Sequence, residues 1–151
     1  MRGLISGGAV DIAAAQKLFA AEPVVSGTRC AEVLFILGKN ASPLDAVMGL
    51  KDALAALERK PPGRLLVVAA PELLEDVALA AFAAAKSLAR ETAMPAHCIN
   101  AMWLKPGKLP GWRAPVDLWK EAAALIPTVF SLESTSGQVF VIGPSPTAIP
   151  L

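Results

Sequence analysis

Five short apolar runs separated by helix-like stretches restrict the fold of this chain more than any other feature. "GLIS" (3–6), "AEVLFILG" (31–38), "RLLVVAA" (64–70), "HCINAMWL" (97–104) and "GQVFVIG" (137–143) read as strands. The middle three are nearly uninterrupted in apolar residues, which marks strands buried on both faces. Good helix formers fill "DIAAAQKLFAAE" (11–22). "SPLDAVMGLKDALAALERK" (42–60) opens with a helix start signal: Ser42 as N-cap, Pro43 in the first turn and Asp45 three residues after the cap. Its Leu44, Val47, Met48, Leu54 and Leu57 recur at helical spacing, and "KPPG" stops it. "ELLEDVALAAFAAAKSLARETA" (72–93) is acidic at its start and basic toward its end, which suits the helix dipole. "PVDLWKEAAALIPTVFSL" (115–132) predicts a helix interrupted near Pro127. Regular strand–helix alternation predicts an α/β fold, an open and mostly parallel sheet flanked by helices. At 151 residues the chain is expected to form one domain, 1–151, with a real core.

Composition narrows the partners. Fourteen basic against thirteen acidic residues, with no basic stretch longer than a pair, argue against a nucleic-acid protein. Cys30 and Cys98 are too few for a disulfide framework and read as reduced thiols of a cytoplasmic protein. No secretory leader pattern is recognisable at the start, and no window approaches a membrane span. A 54% share of hydrophobic residues and a mean hydropathy of +0.52 are high for a small soluble monomer. Alanine abundance accounts for this as well as a hidden interface does. "VALAAFAAA" (77–85) carries no polar residue through about two and a half turns, and a helix apolar all round is a buried one.

Four passages, in order along the chain, resemble the short-chain dehydrogenase/reductase family: "ISGGAVDIA" its nucleotide turn, "GRLLVVAA" its fifth strand, "KSLARETAMPAHCINAMWLKPG" the end of its catalytic helix with the next strand, and "STSGQVFVIG" its closing strand. The resemblance implies a Rossmann-like sheet. About twenty-seven residues separate the first strand from "VLFIL", too few for two further strands with their helices, since one βαβ unit needs roughly 30. Loss of strands 2 and 3 would leave a truncated sheet of order 1-4-5-6-7 in the family's numbering. Whether "PVV" (23–25) is a stub of strand 2 stays open.

Against the family pattern, Asp11 and Ala13 stand at two glycine positions of the turn. A carboxylate there repels a pyrophosphate, and it can instead cap the helix amides the phosphate would use. No acid stands in "VVSGT", where a ribose-binding carboxylate is expected about twenty residues on. The Tyr-x-x-x-Lys pair falls at Leu74 and Ala78, the serine at Ala69 or Ala70, and the chain has no tyrosine. These departures imply no cofactor, no metal and no catalysis by the chain itself. The expected function is that of a non-catalytic subunit paired with an active short-chain dehydrogenase, as a heterodimer or heterotetramer. That NAD-dependent complex would act on a hydroxyacyl-CoA, as in anaerobic toluene degradation. The alternative is a stand-alone module binding a small ligand or acyl-CoA. In the family this helix pair packs against its copies, so the resemblance places the partner interface on Leu50, Leu54 and Leu57 of one helix. Val77, Ala81, Ala84, Ala85 and Leu88 would be the outward stripe of the next, with their division between sheet and partner open.

The remaining chemistry-bearing residues read as structural. His97 and Cys98 are strand neighbours that point to opposite faces. Asn100 matches a supporting asparagine of the family, and Asn40 and Ser42 lie near its helix-4 asparagine, although Ser42 is explained by capping. Trp103, Trp112 and Trp119 surround the proline-rich stretch 105–115, expected as a surface loop, and belong either to a pocket or to core and interface.

Overall fold

The apolar runs are strands, and all of them lie in one sheet. The computed structural model describes residues 2–91, 97–105, 114–132 and 135–143. In chain order the elements are β1 (Arg2–Gly7), α1 (Ile12–Phe19), β2 (Ala21–Pro23), β3 (Glu32–Leu37), α2 (Pro43–Ala56), β4 (Arg64–Ala69), α3 (Glu75–Glu91), β5 (Cys98–Leu104), α4 (Pro115–Ser131) and β6 (Val139–Ile142). The sheet order is β2-β1-β3-β4-β5-β6, and every pairing is parallel. The five long strands thus stand in the expected order. The stub of a further strand exists too, at Ala21–Pro23 rather than 23–25, paired with the start of β1.

Two apolar layers cover the sheet. On one face Phe35, Leu65, Val67 and Ile99 pack with α2 and α3. On the other Leu34, Leu66, Val68 and Met102 pack with α1 and α4. Strands enclosed on both faces have no side left for polar residues, which explains the continuous runs.

Helix ends follow local chemistry. Ser42 Oγ accepts from the Asp45 amide at 3.1 Å and Asp45 Oδ2 from the Ser42 amide at 2.8 Å, a complete capping box. α3 begins at Glu75 rather than at 72, and three other helices also differ from expectation. α1 stops at Phe19, because Ala20 turns left-handed (φ 50°) to launch β2. α2 stops at Ala56, where Leu57 turns into the core, the Cys30 amide donates to the Ala56 carbonyl and the Glu58 amide donates to the Cys30 carbonyl. α4 runs through Pro127 uninterrupted. Pro127 sits on its exposed side, so the carbonyl it frees can turn to water. Residues 106–113, with Trp112 and most of the expected loop, lie outside the described residues.

Candidate functional site

The carboxyl ends of β1, β3 and β4 meet where strand order reverses between β1 and β3, the place where open α/β sheets bind ligands. The turn after β1 passes through Gly8 at φ +76°, and a Cβ there would lie 2.7 Å from the Ala41 amide nitrogen. The turn then folds across the loop that follows β3: the Ala9 amide donates to the Lys39 carbonyl at 2.8 Å. Gly38 makes that crossing possible, since any side chain on it would strike the Ala9 carbonyl. The glycines of this turn therefore bring two loops of the chain together, where in a dinucleotide site they admit a phosphate.

Asp11 is the N-cap of α1, and its Oδ1 accepts from the Ala14 amide at 3.1 Å. The carboxylate occupies one of the amides an anion would use. Ala13 is exposed on the first turn. β2 does carry an acid, Glu22, but it pairs with Gly3 near the amino end of β1 and accepts from Gln16 Nε2 at 3.0 Å. It stands at the wrong end of the sheet for a ribose above the carboxyl ends.

The family's catalytic positions do not converge. Ala69 and Ala70 are buried at the end of β4. Leu74 is 72% exposed just before α3, whereas Ala78 is 0% exposed and packs into the core. A lysine at Ala78 would enter that core rather than a cleft.

Beside the closed turn lies a cleft of about 670 Å³ between α1 and the first turns of α4. Ala14, Leu18, Val116 and Trp119 wall it, and Ile36 lies at its base. Asp11, Lys39 and Glu72 are its charged residues among those described. Trp119 stands against Phe19 with ring centroids 5.8 Å apart.

The other singled-out residues separate. His97 Nδ1 lies 3.3 Å from the Gly63 carbonyl. Asn100 is buried and donates to the Thr135 carbonyl (2.9 Å) while accepting from the Gln138 amide (3.0 Å), tying β5 to the segment before β6. Asn40 adopts φ 65°, a left-handed position asparagine tolerates. Trp103 packs edge-on against Phe82 at 5.7 Å on the α3 face, so it shares no pocket with Trp119. Among the described residues no group of His, Cys, Asp and Glu could hold a metal ion, and no helix is long and apolar enough to cross a membrane.

The expected interface needs the largest correction. Leu50, Leu57, Val77, Ala81 and Ala85 are buried in the chain's own core, and Leu54, Ala84 and Leu88 are packed against its edge. The outward faces lie elsewhere. α2 buries Ala46, Gly49, Leu50, Ala53 and Ala56 and exposes Leu44 (67%), Val47 (58%) and Met48 (48%). α3 exposes Leu79, Ala80 and Ala83. Gly49 contributes to this, because the Phe35 ring occupies the space its Cβ would need, so α2 comes that close to the sheet only where it carries no side chain.

No family model matches the sequence, and no curated protein is similar to it. By structure the chain is similar to a double mutant of a Serratia marcescens short-chain dehydrogenase/reductase, with TM-score 0.59 and 12% identity over 94% of this chain and 95% of that one. The likeness shows the fold, an all-parallel Rossmann-like sheet between helix layers.

Proposed function

We propose that this chain is a non-catalytic subunit that pairs with an active short-chain dehydrogenase through α2 and α3. The observation that carries the reading is the outward face of α2, which leaves Leu44, Val47 and Met48 exposed while Ala46, Gly49, Leu50, Ala53 and Ala56 face the sheet. A helix serving only its own chain would keep polar residues on that outer face. Leu44, Val47 and Met48 each stand to gain roughly 1–2 kcal/mol from covering. The closed turn, the Asp11 cap and the buried Ala78 support a role without hydride transfer. A hydroxyacyl-CoA, if that is the substrate, belongs to the partner. A contact that holds such a subunit permanently buries on the order of 2,000 Å² or more.

Purification of the tagged chain from its native cells should bring down a dehydrogenase of this fold, identified by mass spectrometry, in fixed stoichiometry. Val47→Asp and Met48→Asp should abolish the association, since each buries an unpaired charge, while the isolated chain stays folded. Absence of any dehydrogenase from the wild-type eluate, or its persistence with both variants, would defeat the proposal.

A further inference from the structure

We infer that the cleft between α1 and α4 binds an uncharged, mainly apolar small molecule. The inference concerns the opposite face of the sheet from α2 and α3 and stands whether or not a partner binds there. Three observations carry it. The volume, about 670 Å³, falls inside the roughly 300–1,000 Å³ typical of small-molecule sites. The walls are apolar: Leu18 and Val116 line the cleft and remain exposed, and Trp119 packs against Phe19. The rim sets the charge. Asp11 and Glu72 outnumber Lys39 among the described lining residues, so a phosphate or other dianion meets net negative charge. Asp11 also occupies the Ala14 amide. Hydrophobic contact and ring packing remain as the source of affinity, which selects a neutral ligand about the size of two or three fused or linked rings.

The test uses the whole chain and the neutral probe N-phenyl-1-naphthylamine, excited by energy transfer from tryptophan. Saturable binding to one site is expected, with Kd on the order of tens of micromolar for a ligand of that size. Val116→Asp and Leu18→Arg place charges on opposite walls, each at a helix end that favours its sign. Each should weaken binding about tenfold or more with unchanged circular dichroism. Trp119→Phe should keep the binding and lose most of the energy transfer. Val47→Asp, on the other face, should change neither. The anionic 8-anilinonaphthalene-1-sulfonate should bind about tenfold more weakly. The inference is overturned by the absence of a saturable signal, by binding that Val47→Asp removes and the two cleft variants spare, or by equal affinity for the anionic probe.

Discussion

Asp11 shows how one side chain redirects a turn. Its carboxylate caps α1, so Asp11→Ala should cost about 1 kcal/mol in urea denaturation. Asp11→Gly combined with Ala13→Gly restores the glycine pattern, yet it should leave NAD binding weaker than about 100 μM, roughly 5.5 kcal/mol, by titration calorimetry. The reason lies outside the two positions: the Ala9 amide is already taken by the Lys39 carbonyl, and Glu22 is at the far end of the sheet. The catalytic pair is equally beyond point substitution. Leu74→Tyr should change stability by less than about 0.5 kcal/mol because the site is exposed. Ala78→Lys should cost several kcal/mol, since it forces a long charged side chain into a filled core. Cys30 supplies a pH dependence. Burial pushes its thiol above the ordinary value, so the unfolded chain ionises there first. Stability should therefore fall as pH rises through the ordinary thiol range, and Cys30→Ala should flatten that fall in denaturation curves taken across it.

At the scale of elements, α2 is the informative one. Its sequence spacing marks Leu44, Val47, Met48, Leu54 and Leu57 as a stripe, and periodicity alone assigns such a stripe to the core. The structure brings Leu54 and Leu57 to the core but leaves Leu44, Val47 and Met48 outside it, with Ala46, Gly49, Leu50, Ala53 and Ala56 facing the sheet. Gly49→Ala separates the two influences. Helix propensity favours alanine by about 1 kcal/mol, but its Cβ would collide with Phe35, so a net loss of about 1–3 kcal/mol is expected from chemical denaturation. The interface expected on α3 is displaced too, since Val77, Ala81 and Ala85 face the sheet with Phe82 and Leu79 faces out. Within 77–85 every residue is apolar, so that stretch alone does not say which side faces the sheet.

For the whole molecule, the two exposed apolar regions lie on opposite faces of one sheet, so they can be tested independently. If α2 and α3 seat a partner, the thermal midpoint of an equimolar mixture with that partner should rise with concentration, and Val47→Asp should remove the dependence. The cleft variants should leave it intact.

Much of this architecture was legible in the chain itself. Continuous apolar runs identified the strands, and the resemblance to the family's sheet implied the order of the five long ones. The Ser42 and Asp11 caps were readable because capping joins residues three apart. Only the tertiary structure decided the rest. β2 is three residues long and exists through pairing with β1, a contact with no local signature. The roll of α2 depends in part on how closely Gly49 lets it approach Phe35, a residue on another element. The cleft arises because α1 and α4, about a hundred residues apart in sequence, share one face of the sheet. Local interactions are written into neighbouring residues, whereas the facing of a helix and the space between two helices depend on distances that only the packed sheet sets.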